Sequence, residues 1–103
     1  MALELVATRR ARRDVEEILA YIAADNPAAA QALQGRIDKA LRLLCERPFI
    51  GAVAAGFADE TLRKFSISPY VVFYVPRDGK LAIVRVIHSS MDMARQQMPG
   101  LPL

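Results

Sequence analysis

Two apolar runs, YVVFYV (70–75) and LAIVRVIH (81–88), constrain the fold of this 103-residue chain more than any other feature. Both runs are rich in β-branched and aromatic residues, which favour strands. The segment PRDGK between them contains Asp78-Gly79, a strong hairpin signal. Because the first run is almost continuously apolar, we expect a central strand covered on both faces, or one whose open face meets a partner.

The first half of the chain has helical periodicity instead. Thr8 can cap a first helix, whose apolar positions follow the i, i+3, i+4, i+7 pattern of an amphipathic helix. Asn26 and Pro27 indicate a second start, since asparagine is a good N-cap and proline fits the first helical position. This second helix is predicted to run from about residue 27 to about residue 47, where Pro48 ends it. So short a connection predicts an antiparallel helical hairpin.

Shorter signals complete the order of elements. The segments LELVAT (3–8) and LRKFSI (62–67) alternate between apolar and polar residues and predict strands. Residues 49–60 contain two glycines and little periodicity, so we expect a loop there. The segment SSMDMARQQM after His88 predicts a short final helix. The resulting order, β-α-α-β-β-β-α, predicts an α+β fold in which the helical hairpin packs on a small, mainly antiparallel sheet.

Length and composition bound the class of protein. A chain of 103 residues forms one domain, which we place at residues 1–98, followed by a C-terminal tail at residues 99–103. No apolar stretch reaches the roughly 18 residues of a membrane span, and the start lacks the pattern of a signal peptide. The single cysteine can form no internal disulfide, which fits a reducing compartment. We therefore expect a cytoplasmic protein with no membrane partner.

The charges indicate an acidic partner. The net charge of +3 is too weak to indicate nucleic-acid binding by itself. Eleven of the 14 basic residues are arginines, which suit fork-like pairing with carboxylates or phosphates.

One histidine and one cysteine far apart make a zinc site untenable, and no glycine-rich phosphate loop follows a strand. We therefore expect no metal and no cofactor.

Several short segments occur in a characteristic order and spacing. They are A-x-x-D-V-x-x-I-x-x-Y-I (11–22), NP (26–27), RP-x-x-G (47–51), LRKF (62–65), PYVVFYV (69–75) and RVIHSSMD (85–92). Together they resemble the RelE/ParE superfamily of bacterial toxin–antitoxin toxins, most closely its ParE branch, often described as plasmid-stabilisation proteins. The likeness extends over nearly the whole chain.

This resemblance implies a cytoplasmic toxin that a small ParD-like antitoxin holds inactive. Such antitoxins usually bind operator DNA with an N-terminal part and fold on the toxin with a C-terminal segment, so operator DNA is expected as a partner only through the antitoxin. ParE-type members poison DNA gyrase, whereas RelE-type members cleave mRNA on the ribosome. Since the fold is shared, residues at the site must decide between them.

The residues needed for RNA cleavage are poorly represented. Attack by a ribose 2′-hydroxyl needs a base, donors that stabilise the charged phosphorane, and an acid for the leaving oxygen. In RelE-like ribonucleases these are arginines, lysines and a C-terminal tyrosine. Here Val71 stands where the resemblance implies an arginine, Met91 and Asp92 stand where it implies a basic residue, and SSMDMARQQM contains no tyrosine. The remaining weak catalytic candidates are His88, Arg85, Arg63 and Lys64.

His88 has two interpretations. Regular alternation over residues 81–88 places Arg85 and His88 on opposite faces of the strand, which disfavours a joint catalytic role. On that basis Leu81, Ile83 and Ile87 share the face of Arg85, whereas Ala82, Val84 and Val86 share that of His88. In the structural interpretation, which we favour, His88 ends the strand and bonds locally. Ser89 then caps the final helix, with Asp92 answering it in a capping-box-like arrangement.

Docking residues are predicted among the basic and aromatic side chains. Four arginines crowd the first turn of the first helix, either as a solvated face or as a docking edge for an acidic antitoxin segment or for gyrase–DNA. Cys45 is expected to be an inert buried thiol. The candidate antitoxin- or target-binding residues are Arg9, Arg10, Arg12, Arg13, Arg63, Tyr70 and Arg85.

The sequence therefore predicts a ParE-like toxin that inhibits DNA gyrase by direct binding, without catalysis of its own. One alternative is a ribosome-dependent mRNA endonuclease of the RelE type. Another is a degenerate toxin that only binds its antitoxin.

Overall fold

The computed structural model describes residues 2–91 and 98–99. The elements in these residues are β1 (Glu4–Ala7), α1 (Arg9–Asp25), α2 (Pro27–Glu46), β2 (Ala52–Val53), β3 (Arg63–Ile67), β4 (Tyr70–Arg77) and β5 (Lys80–His88). The strands form one sheet in the order β1-β5-β4-β3-β2, in which β1 runs parallel to β5 and the other neighbours are antiparallel. The predicted α+β fold, a helical hairpin on a mainly antiparallel sheet, is confirmed.

Both predicted helix starts are confirmed by their capping bonds. Thr8 Oγ1 accepts a hydrogen bond from the Ala11 N–H at 3.0 Å. Asn26 Oδ1 accepts one from the Ala29 N–H at 3.1 Å, and Pro27 occupies the first helical position. Only Asn26 separates the two helices, which pack against each other as the predicted hairpin. Neither of these described helices has both the length and the apolar content that crossing a membrane requires.

The hairpin between β4 and β5 turns at Asp78 and Gly79, as predicted. Their φ angles are 54° and 76°, in the left-handed region that glycine adopts freely and aspartate tolerates. Arg77 pairs with Lys80 across the turn, so the loop has two residues. Two-residue loops with positive φ angles match the natural twist of the flanking strands, which explains the strength of the Asp-Gly signal.

The central strand β4 is covered on both faces, which explains its continuous apolar sequence. Val72 and Tyr74 belong to a helix-side cluster, whereas Phe73 and Val75 belong to a second cluster on the opposite face. All four side chains are at most 1% exposed. The helices contribute Ala11, Leu33, Ile37, Leu44 and Cys45 to the helix-side cluster. The opposite face packs against Ala54, Phe57, Leu62 and Met98.

Residues 49–60 were expected to be only a loop, but Ala52 and Val53 pair with Lys64 and Arg63 as the strand β2. A strand of two residues carries too little alternation to be recognised in a sequence. Most of the predicted final helix lies outside the described residues, and so does Asp92, the predicted partner of Ser89 in the capping box. Ser89 and Ser90 form a turn.

Gly51 marks the closest approach of the segment after α2 to the sheet. Tyr74 Oη accepts the Gly51 N–H at 3.0 Å and donates to the Pro48 carbonyl at 2.8 Å. Arg63 Nη1 donates to the Gly51 carbonyl at 2.7 Å. A Cβ on Gly51 would overlap the Tyr74 hydroxyl and lie 2.8 Å from the Lys64 carbonyl oxygen. No side chain fits here without displacing its neighbours.

We expect Gly51→Ala to lower the free energy of unfolding by about 1–3 kcal/mol, because the added methyl group overpacks a buried site. The matched control is Gly35→Ala, where nothing lies within 4 Å of the added Cβ. Because Gly35 is inside α2, that change should raise stability by about 0.5–1 kcal/mol. Urea unfolding followed by circular dichroism measures both, and a Gly51→Ala protein as stable as the wild type would contradict the expected clash.

Candidate functional site

A buried carboxylate, Asp14 of α1, joins the first helix to the last strand. Asp14 Oδ2 accepts from Arg85 Nε at 2.8 Å and from the Val86 N–H at 3.0 Å, while Oδ1 accepts from Arg85 Nη2 at 3.1 Å. Both side chains of the ion pair are only 6% exposed. The exposed Arg10 side chain adds a contact of 3.4 Å to Asp14. The guanidinium of Arg85 thus faces Asp14 in the interior, and this arrangement favours a structural role over docking.

The side chains of Thr8, the N-cap of α1, and of Asp14 also complete the edge of β5. Strand β1 pairs with β5 only as far as Ile83. Beyond that point the Thr8 hydroxyl donates to the Val84 carbonyl at 2.8 Å, and Asp14 receives the Val86 N–H. Two side chains therefore satisfy backbone groups that a longer β1 would have bonded. Sequence reasoning missed this role of Asp14, whose signal is a carboxylate inside the apolar stripe of the helix.

A register shift in β5 changes the predicted faces of the strand. Tyr74 pairs with Ile83 and Phe73 pairs with Arg85, which leaves Val84 as an extra residue. The extra residue reverses the alternation, so the prediction based on a regular strand is wrong beyond it. Val86 lies in the helix-side cluster with Leu81 and Ile83, although it was predicted on the other face. Ile87 lies in the opposite cluster with Val84, although it was predicted to share the face of Leu81 and Ile83.

His88 is the last residue of β5 and bonds locally, as the structural interpretation predicted. Its Nδ1 accepts the Ser90 N–H at 3.1 Å and lies 2.8 Å from Ser90 Oγ. The Ser89 N–H donates to the Pro69 carbonyl at 2.8 Å, and the Tyr70 ring meets the imidazole edge-on with centroids 5.3 Å apart. Since Nδ1 accepts a backbone N–H, the neutral ring carries its proton on Nε2. That tautomer makes Nε2 a donor, whereas a general base needs an acceptor.

Arg63 holds the segment that follows α2. Its Nη1 donates to the Gly51 carbonyl at 2.7 Å and to the Phe49 carbonyl at 3.2 Å. The guanidinium carbon also lies 5.0 Å from the centroid of the Phe49 ring, within the range of a cation–π contact. The bonds of Arg63 in the described structure are therefore those of a residue that fixes a loop.

The structure does not bring the catalytic candidates around one reacting atom. Arg63 pairs with Tyr74 and His88 pairs with Tyr70, so the two lie four positions apart along β4, or roughly 13 Å, and on different neighbouring strands. Lys64 is exposed, but it follows Arg63 and pairs with Phe73 rather than with a residue near the end of β5. The side chains of His88 and Arg85 take different partners as well.

The four arginines at the start of α1 are exposed, as a solvated face or a docking edge would require. Within this group Arg10 contacts Asp14, and Arg13 lies 3.8 Å from Glu17. Their part in docking remains a prediction. Among residues 2–91 and 98–99, no three histidine, cysteine or acidic side chains are placed to hold a metal ion.

Two open grooves flank α2. The first, the β1 groove, has a volume of about 490 Å³ and is lined by Ala2, Leu3, Leu5, Asp38, Leu41, Arg42, Cys45 and Glu46. Burial raises the pKa of the Cys45 thiol, and the charge of Glu46 raises it further, so the thiol is protonated at neutral pH. The second, the β3 groove, has a volume of about 540 Å³ and is lined by Arg36, Lys39, Ala40, Arg42, Leu43, Glu46, Phe65, Ser66, Ile67 and Ser68. Sequence reasoning missed both grooves.

The comparisons with known proteins agree with this fold. The family described as ParE toxin of type II toxin-antitoxin system, parDE, matches residues 5–93. Toxin RelE2 of Caulobacter vibrioides is 36% identical over 88 residues, which are 84% of this chain and 96% of that protein.

Two solved structures share the fold at lower identity. One is the chromosomal ParDE toxin–antitoxin system of P. aeruginosa, which has a TM-score of 0.69 and 18% identity. The likeness covers 84% of this chain and 96% of that chain. The other is the RelBE2 toxin–antitoxin complex of Mycobacterium tuberculosis, which has a TM-score of 0.62 and 20% identity. The likeness covers 85% of this chain and 99% of that chain.

We expect Asp14→Ala to lower the free energy of unfolding by about 3–5 kcal/mol, because it leaves a buried arginine without its carboxylate partner. The control is Glu17→Ala, which removes an exposed carboxylate of the same helix and should change stability by less than about 0.5 kcal/mol. Denaturant unfolding of both variants measures the difference. Similar losses for the two would show that Asp14 does not anchor the helix.

Tyr74 should make the protein sensitive to alkaline pH. Burial raises the pKa of its hydroxyl above 10.0, although the Gly51 N–H and the Arg63 charge act in the opposite direction. Above about pH 10 the unfolded tyrosine ionises while the folded one stays protonated, so the stability falls as pH rises. Tyr74→Phe should cost about 1–3 kcal/mol at neutral pH, since it leaves the Gly51 N–H unpaired, and should flatten the alkaline decline. Thermal unfolding between pH 7 and 11 tests both effects.

Proposed function

This chain belongs to the ParE toxin family of type II toxin–antitoxin systems, and from that membership we propose that it arrests growth by binding DNA gyrase, without catalysis of its own. A cognate ParD-like antitoxin neutralises it in the cytoplasm, and operator DNA is reached only through that antitoxin. Gyrase is the target that the likeness to ParE implies, and it is the part of this function that we propose beyond the family membership.

The observation that carries the proposal is that three of the four candidate catalytic residues make bonds within the fold. Arg85 is buried against Asp14, and Arg63 is bonded to two carbonyl groups of the loop after α2. His88 bonds Ser90 through Nδ1. A ribonuclease needs such groups at the scissile phosphate. Their internal bonds therefore support a toxin that acts through its surface.

A second candidate function is the ribosome-dependent cleavage of mRNA. It is favoured by the relative at 36% identity, which is named as a RelE toxin. In that case the exposed Lys64 would contact phosphate, and His88 would act as the base after a change of tautomer that makes Nε2 an acceptor. A toxin that has kept antitoxin binding alone would show neither activity.

The proposal predicts that the purified toxin, mixed with gyrase, ATP and supercoiled plasmid, will generate linear DNA after treatment with detergent and protease. A poison traps the gyrase–DNA cleavage complex, and detergent and protease then release the cleaved plasmid as linear DNA. Added antitoxin should suppress the product, and reactions without gyrase should contain none. The variants His88→Ala and Lys64→Ala should act like the wild type, because neither residue is needed for a mechanism based on contact.

The opposite result would overturn the proposal. If a folded toxin that arrests growth yields no linear DNA but cleaves mRNA on ribosomes, and His88→Ala or Lys64→Ala abolishes that cleavage, the enzyme interpretation holds. If the folded protein neither arrests growth nor cleaves, the remaining role is antitoxin binding.

A further inference from the structure

Four arginines stand among the first five residues of α1, and all four are exposed. They are Arg9, Arg10, Arg12 and Arg13, here called the arginine patch. The positive end of the helix dipole lies at this terminus and disfavours cations, and the first turn contains no acidic residue to offset them. The arginines therefore weaken the helix that carries them. Because residues that oppose local stability are expected at functional sites, the patch indicates a function outside the fold.

Carboxylates of the protein leave most of this charge uncompensated. Arg10 lies 3.4 Å from Asp14, but that carboxylate is already held by a buried guanidinium at 2.8 Å. Arg13 lies 3.8 Å from Glu17, and the two side chains are 68% and 67% exposed, where an ion pair contributes little. The other two arginines of the patch form no ion pair with any residue that the structure describes. The patch therefore keeps its charge for an external anion.

The patch has the spacing of a phosphate-binding surface. With about 3.6 residues per turn, Arg9, Arg12 and Arg13 lie within roughly 100° of one another around the helix axis. They are on the side opposite the buried Ala11 and Asp14. Along the axis they span roughly 6 Å. Each strand of a DNA duplex carries one phosphate per roughly 3.4 Å of its axis, so neighbouring phosphates of one strand lie within reach of these side chains.

The surroundings of the patch favour nucleic acid over an acidic protein. Interfaces between proteins usually have an apolar centre, whereas those with DNA are polar and strongly positive. The one large apolar side chain of α1 that is exposed, Tyr21, lies about two turns beyond Arg13. The exposed Phe49 and Val53 lie toward the β2 edge of the sheet, whereas α1 packs on β5 beside the β1 edge. Guanidinium groups without an apolar centre fit a phosphate backbone.

We propose that the arginine patch binds the phosphate backbone of duplex DNA, and that it does so on the DNA segment that gyrase holds. The inference rests on the proposed function, since it makes the complex of gyrase with DNA, rather than gyrase alone, the surface that the toxin contacts. Phosphate contacts position a protein on DNA but read no base sequence, so operator recognition stays with the antitoxin. A bound backbone also relieves the repulsion between the arginines and the helix dipole.

The first test measures the binding of purified toxin to a fluorescently labelled DNA duplex by anisotropy at several salt concentrations. The variant is Arg9→Gln/Arg12→Gln, which keeps residue types that favour helices. We expect its association constant at low salt to fall on the order of tenfold, and the slope of its logarithm against the logarithm of salt concentration to become shallower by about two, roughly one for each lost phosphate contact. Circular dichroism should show a fold at least as stable as the wild type, because cations have left the positive end of the dipole.

The charge-matched control is Lys39→Gln/Arg42→Gln on α2, where both side chains are exposed. It lowers the net charge equally and should keep the salt slope of the wild type. A wild-type toxin that does not bind the duplex even at low salt, or an equal change of slope in the control, would refute the proposal. Tighter patch-dependent binding to an RNA of the same length would contradict the assignment to DNA.

The gyrase reaction separates this proposal from the proposed function. Arg9→Gln/Arg12→Gln should require on the order of tenfold more toxin than the wild type for the same amount of linear DNA, whereas the control should match the wild type. Equal requirements for variant and wild type would exclude the patch from the poisoned complex and leave gyrase poisoning intact. Patch-dependent binding to the duplex, without linear DNA from any of the proteins, would refute gyrase as the target and support the phosphate site. A variant that loses affinity for gyrase in the absence of DNA would instead assign the patch to an acidic protein surface and so overturn the proposal.

Discussion

The buried pair of Asp14 and Arg85 is the contact on which the rest of this molecule depends. It fixes α1 against β5 at the point where β1 ends, and the same carboxylate satisfies a backbone N–H of that strand. Because Asn26 alone separates the two helices, the position of α1 restricts that of α2. The course of α2 over the sheet then creates the two grooves. The surfaces offered to partners therefore follow from an ion pair in the interior of the fold.

Much of this fold follows from local sequence signals, because the groups involved are neighbours in the chain. Thr8 and Asn26 cap their helices through bonds to residues three positions on, and Asp78-Gly79 adopts the positive φ angles its residue types allow. The parts that sequence reasoning missed are decided between distant segments. The extra residue Val84 belongs to the pairing of β5 with β4, which no local signal in either strand reveals.

The candidate site was less predictable than the fold for the same reason. An arginine in a strand gives the same alternation whether it meets solvent, a partner or a buried carboxylate. Asp14 lies beside Arg85, and the carbonyls of Phe49 and Gly51 lie beside Arg63, and the alternation of the strands reveals none of these partners. The basic residues thus separate into two groups. One holds the interior and the loops together, and the other, on α1 and α2, gives the surface its positive charge.

The parallel pairing of β1 with β5 has a consequence for the life of the chain on the ribosome. Thr8 and Val84, which bond across this junction, are 76 residues apart in sequence. Contacts of such long range form late, since the intervening chain must first be available. The first strand and the first helix therefore emerge long before the partner that anchors them. During synthesis, a chain built this way has no finished sheet until β5 has emerged, so β1 and α1 stay without their anchor for most of translation.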